Sequence, residues 1–266
     1  MAEPLWTSDQ IQAATGGRSA GPAFAAGGVS IDTRTLEPGD LFAALAGERD
    51  GHDFVGAAFE RGAAGALVSQ PGEGARIVVA DTLKALEQLG ETARLRASMA
   101  RRGAVTGSVG KTSVTQAIRA GLDLAGPSHG SVKSYNNHIG VPLTLARMPP
   151  ATERAIFEIG MNHAGEIAAL TRMVRPHAIA ITTIAPVHVE NFADGEAGVA
   201  RAKAEIFEGL EAGGRAVLNA DNKWFAFLAG EARRRGAEVV SFGTGEACAA
   251  RLVDFRLAGE GAKVEK

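Results

Sequence analysis

The chain has 266 residues, 45% of them apolar and 22% charged, and its 28 Lys and Arg against 30 Asp and Glu leave a formal charge of −2. That length supports one large or two ordinary domains with a sizeable core, and the balanced charge gives no reason to expect nucleic acid or an anionic membrane as partner. A single cysteine (Cys248), no apolar run of the ~18–20 residues that span a bilayer, and an N-terminus without signal-peptide character together predict a soluble, cytoplasmic protein with no intrachain disulfide; a monomer is expected, although nothing in the sequence reads out the oligomeric state.

The first ~80 residues carry turn signals at Gly16-Gly17, Gly27-Gly28, Pro38-Gly39-Asp40 and Asp50-Gly51, with short apolar runs at 41–45, 66–69 and 77–80 between them. They predict a small α/β domain with short strands, ending near residue 82. Residues 81–100 then have helical spacing, with Leu83, Leu86, Leu89 and Leu95 on the apolar side.

From residue 104 strands alternate with helices. Strands are expected at 104–106, 155–159, 178–184, 215–218 and 238–242, and helices at 112–125, 164–174, 196–210 and 223–235. Solidly apolar strands in that alternation predict an α/β domain over 83–266, a mostly parallel sheet covered by helices on both faces. Arg101, Arg102 and Gly103 stand where buried β-branched residues would be expected, so the first strand reads as short or as starting in solvent. Such a sheet gathers ligands at the carboxyl ends of its strands. There the sequence places residues 106–113, then Glu158, His188, and finally Asn219 and Asp221.

Thr106-Gly107-Ser108-Val109-Gly110-Lys111-Thr112-Ser113 falls between strand and helix. Glycines let backbone N–H groups curl around phosphate oxygens, and the helix N-terminus adds partial positive charge. Lys111 would reach the outer phosphates and the Thr112 hydroxyl a Mg²⁺ ion. The general formula asks for Gly where Val105 stands, so the loop is a variant. The plain alternative is a glycine turn capping a helix with an exposed lysine.

Further blocks accompany this loop: Ser134-Tyr135-Asn136-Asn137-His138-Ile139-Gly140-Val141-Pro142, Phe157-Glu158-Ile159-Gly160-Met161-Asn162-His163, Ala185-Pro186-Val187-His188, Ala202-Lys203-Ala204-Glu205-Ile206-Phe207 and Leu218-Asn219-Ala220-Asp221. Nearer the N-terminus are Ile31-Asp32-Thr33-Arg34 and Asp50-Gly51-His52-Asp53-Phe54. Over nearly the whole chain these blocks resemble the Mur ligase family, and within it the branch that adds D-alanyl-D-alanine.

The resemblance implies an ATP-dependent amide ligase acting on UDP-N-acetylmuramoyl-tripeptide. ATP converts the peptide's terminal carboxylate to an acyl phosphate, from which the dipeptide amine displaces phosphate. It implies that Lys111 neutralises phosphate, and that Thr112 and Glu158 hold one Mg²⁺ and His188 a second. Lys203 would be carbamylated by CO₂, exchanging a positive for a negative charge. Asn137 would contact the nucleotide or second ion, Asn219 and Asp221 the adenosine, and Asp32, Thr33, Arg34 and His52 the UDP group.

Each residue has a plainer role open to it: a salt bridge for Glu158, a loop histidine for His188, a solvated helix lysine for Lys203. An Asx turn would suit Asn137, a helix cap Asn219 and Asp221, and ordinary turn chemistry the N-terminal set. The family's third, C-terminal domain has no counterpart here, so the alternatives are a catalytically incomplete nucleotide-binding fragment or a related folylpolyglutamate-type ligase. The block at 32–54 argues against the latter.

Overall fold

A computed structural model of the chain describes residues 3–258 and 261–265, apart from 133 and 188, with side chains described as far as Phe255. It divides into two compact units, Met1–Ala100 with Pro142–Thr152, and Arg101–Val141 with Glu153–Lys266.

The first unit is built on a five-stranded sheet in the order Arg18–Ala20, Arg76–Val78, Gly65–Val68, Asp40–Ala43, Gly28–Ser30. Only the first pair is antiparallel. The helix Thr82–Arg96 starts where the Asp81 side chain accepts from the Lys84 N–H at 2.9 Å. Its Ala85, Leu86, Leu89 and Ala93 are buried in one cluster with Trp6, Ile11, Leu41, Leu67 and Ile77. That burial makes the helix part of the first unit, so the division falls after Ala100 rather than after residue 82. Leu95, expected on the apolar side, is instead 64% exposed. Residues 142–152 join the same unit: the fully buried Trp6 indole donates to the Ala146 carbonyl at 2.8 Å, and a Cβ on Gly90 would sit 3.0 Å from the Pro142 carbonyl oxygen.

The second unit bears out the expected parallel α/β architecture. Its sheet runs Ala250–Arg251, Glu238–Gly243, Arg215–Asn219, Ala178–Ile181, Arg101–Thr106, Arg154–Glu158, Ser128–Gly130, every pair parallel. The chain enters at Arg101–Thr106, builds two strands to one side, then crosses and builds four to the other. The entry strand therefore lies at the switch point, where an open α/β sheet has its crevice.

That strand is twice the expected length. Arg102 is buried, and its Nε donates to the carbonyls of Val174 (2.9 Å) and Arg175 (3.1 Å) at the end of helix Glu166–Val174. Capping helix carbonyls meets the guanidinium's polar demand and lets the strand begin at Arg101. The neighbouring strand is shorter than expected, ending at Ile181 because Thr182 and Thr183 turn to bind the loop that follows Thr106. The expected 196–210 helix is Glu196–Ala204, tightened into a 3₁₀ turn over Glu205–Gly209.

Candidate functional site

Strand Arg101–Thr106 passes through residues 107–110 into helix Lys111–Asp123. Gly107 has φ +149°, and a Cβ there would lie 1.9 Å from Thr182 Oγ1. Gly110 is left-handed at φ +81° and caps the helix. Both positions demand glycine, one for close approach and one for conformation. The far side of the loop is pinned by the next strand's end. Ser108 N–H donates to Thr183 O (2.9 Å) and Ser108 Oγ to Ala185 O (3.0 Å), and Oγ accepts from Ala185 N–H. Thr182 Oγ1 donates to Val109 O at 2.6 Å.

Lys111, the first helical residue, folds back so that Nζ donates to Gly107 O at 2.9 Å. It is half-buried, and burial holds its pKa below the ordinary lysine value against the opposing pull of Glu158. Thr112 Oγ1 lies 3.2 Å from Ser134 Oγ. Thr106 is fully buried, with its hydroxyl unpartnered among the described residues. Val109 and Ser113 point outward.

Glu158 ends its strand at 1% exposure. Asn136 Nδ2 donates to its Oε1 at 2.7 Å, while Oε2 is buried without a partner among the described residues. A buried, half-satisfied carboxylate is costly to leave so, and it is an oxygen donor of the kind a hard cation takes. Lys203, in the last turn of helix Glu196–Ala204, is 2% exposed and makes no hydrogen bond or ion pair among the described residues. The solvated-lysine reading therefore fails. Burial first, then the charge of Lys111, lowers its pKa to about 7. Lys111, Glu158 and Lys203 thus form one electrostatically linked group at the strand ends. His188, expected as a second cation ligand, lies outside the described residues.

The other expected contacts are engaged in turns. Asn137 Oδ1 accepts from the N–H groups of Ile139 (3.2 Å) and Gly140 (2.8 Å), closing an Asx turn into helix Gly140–Ala146. Asn219 Oδ1 accepts from Asp221 N–H at 2.9 Å, and the Asp221 carboxylate accepts from the Thr244 N–H and hydroxyl. Asn222, which the sequence reading passed over, reaches back to the Thr183–Ile184 segment. The one signal for it was its place directly after Asn219-Ala220-Asp221.

In the first unit, Asp32, Thr33 and Arg34 line a cavity of about 370 Å³ with Phe42, Arg49 and Phe54. Arg34, its side chain 85% exposed, hydrogen-bonds the Asp32 carboxylate and holds its pKa below the usual range. His52 is committed elsewhere: Nε2 accepts from the Ser69 N–H at 2.8 Å, so Nδ1 carries the proton donated to Asp50 Oδ1 at 2.6 Å. It joins two backbone segments.

A parallel sheet with a lysine-bearing glycine loop at its switch point, and a buried carboxylate on the adjoining strand end, has the geometry of a phosphate-binding loop domain. Residues 105–264 match the Mur ligase middle domain, and residues 26–108 the catalytic domain of the Mur ligase family. The chain belongs to the Mur ligase family. It is 45% identical over 197 residues to the UDP-N-acetylmuramoyl-tripeptide--D-alanyl-D-alanine ligase of Escherichia coli (strain K12), covering 73% of this chain and 43% of that one. To the Bacillus subtilis (strain 168) protein of the same name it is 46% identical over 193 residues, covering 70% and 42%. The crystal structure of MurF from Acinetobacter baumannii superposes with a TM-score of 0.82 at 32% identity, covering 97% of this chain and 57% of that one. The chain spans less than half the length of the two curated relatives.

Proposed function

We propose that the chain carries the precursor-binding and ATP-binding parts of a ligase that joins D-alanyl-D-alanine to UDP-N-acetylmuramoyl-tripeptide. The observation that carries this reading is the half-buried Lys111 with the buried Glu158 and Lys203 beside the glycine loop. It is supported by 45–46% identity to two ligases of that specificity.

In this reading the loop N–H groups and Lys111 Nζ neutralise the β- and γ-phosphates, with Lys111 exchanging the Gly107 carbonyl for phosphate oxygen. Thr112 and Glu158 hold one Mg²⁺, for which the unpartnered Glu158 Oε2 is suited, and His188 and Lys203 belong to the second. Bound there, the ions supply charge neutralisation at the transferring phosphoryl group.

A buried amine with a pKa of about 7 is substantially neutral at physiological pH, and a neutral amine adds to CO₂, losing one proton, to give a carbamate. Carbamylation replaces a buried amine by an anion beside Lys111 and would turn the Lys111 repulsion that helps to lower the Lys203 pKa into an attraction. Asn137, Asn219 and Asp221 act as a framework that shapes the nucleotide crevice. The cavity around Asp32, Thr33 and Arg34 takes the UDP group, its guanidinium groups facing diphosphate and its aromatic rings the base. The chain acts in the cytoplasm as a monomer.

Phosphate release from ATP in the presence of the UDP-linked tripeptide, with and without D-alanyl-D-alanine, tests the reading. Release that requires the dipeptide and disappears in Lys111→Ala supports a ligase. Saturable binding of ATP and precursor without release supports the second reading, a nucleotide-binding portion that needs the rest of its relatives' length for turnover. Binding of neither overturns both.

A further inference from the structure

We infer that Asn222 is a positioning residue for the phosphate loop, acting through the segment Thr182–Ala185. The inference rests on the reading of residues 106–113 as that loop. Residues 107–110 of the loop are held by this segment: Thr182 Oγ1 donates to Val109 O, Ser108 N–H to Thr183 O, and Ser108 Oγ is paired with the Ala185 backbone. The segment lies beyond the end of its strand at Ile181: Thr182 is still held, its N–H donating to Thr106 O at 3.0 Å and its carbonyl accepting from Asn219 Nδ2 at 3.5 Å, but sheet pairing does not reach Thr183 and Ile184.

Asn222 restrains these two residues. Its Nδ2 group donates to Thr183 Oγ1 at 2.9 Å and to Ile184 O at 2.8 Å, while Oδ1 accepts from the Trp224 N–H at 2.9 Å. Both amide hydrogens and one oxygen lone pair are used, and the Trp224 N–H fixes which way round the amide sits. A primary amide is therefore required. A carboxylate of the same shape would set an acceptor against the Ile184 carbonyl oxygen, leaving two acceptors face to face. Gly107 tolerates no displacement of the segment inward, since Thr182 already occupies the space its Cβ would fill. A shift of Thr182–Ala185 therefore passes to the loop amides.

The isosteric Asn222→Asp variant tests this by amide NMR shifts of Gly107, Ser108 and Gly110 without nucleotide, together with Mg-ATP affinity. The expected result is a shift of these amides and about tenfold weaker ATP binding, with the first unit's amides unchanged. Thr183→Val removes one of the two acceptors and is expected to move the same amides by less, which keeps the test available if Asn222→Asp does not fold. Loop amides unmoved in folded Asn222→Asp overturn the inference, whatever happens to ATP affinity. A wild-type chain that binds no ATP removes the nucleotide reading instead, and the amide shifts still decide whether Asn222 positions the loop.

Discussion

At the scale of single residues, the site is governed by what each buried group lacks. Among the described residues Lys203 is buried without an anion and Glu158 with one oxygen unpartnered, so neither is satisfied by the protein's own groups. Gly107 is limited by space. Gly107→Ala would press its Cβ on Thr182 and force a non-glycine residue to φ +149°. The expected cost is on the order of 1–3 kcal/mol in urea unfolding, with loss of ATP binding.

His177 gives a pH dependence away from the loop. Its Nδ1 accepts from the Arg102 N–H at 3.1 Å, and burial, then the charges of Arg102 and Arg101, lower its pKa below 6.5. The unfolded chain therefore takes up this proton first as the pH falls below 6.5, and stability declines from there until the lower folded pKa is passed. His177→Asn keeps an acceptor without the charge. It should show a smaller drop in stability between pH 7.5 and 5 than the parent, measured by urea midpoints; an equal drop would assign the dependence to other groups.

At the scale of elements, the helix Thr82–Arg96 carries the first unit's core. Leu89→Ala should destabilise that unit by about 2–5 kcal/mol, seen as a lowered midpoint for the fluorescence of buried Trp6. Strands Arg154–Glu158, Ala178–Ile181, Arg215–Asn219 and Glu238–Gly243 were legible in the sequence because each is an apolar run between turns, whereas the short edge strands Ser128–Gly130 and Ala250–Arg251 carry no such run and were not expected. The entry strand was legible only over its last half, because the acceptors for Arg102 lie 72 and 73 residues further on. The same limit hid the end of helix Thr82–Arg96, where spacing placed Leu95 inward and packing left it out.

The glycine loop was legible because its glycines, lysine and helix start are contiguous. Lys203 stood out only by family resemblance, since the residues around it read as an ordinary helix. Nothing but the fold brings Asn222 to Thr183, or ties His52 to Ser69 and away from the cavity lined by Asp32.

At the scale of the molecule, the chain is two units whose sequences interleave, because residues 142–152 return to the first. A fragment of residues 1–82 lacks both the Thr82–Arg96 helix and the Ala146 carbonyl that accepts from Trp6. It should show red-shifted Trp6 emission and no cooperative melt; a native-like blue emission would mean that the sheet alone forms the core. The central claim, that residues 106–113 bind the phosphates of a nucleotide and Glu158 its Mg²⁺, is tested most directly by titration calorimetry of Mg-ATP into this chain and its Lys111→Ala variant. The account predicts saturable one-to-one binding by the parent, weakened by at least about tenfold in the variant. Equal affinity in the two proteins would contradict it.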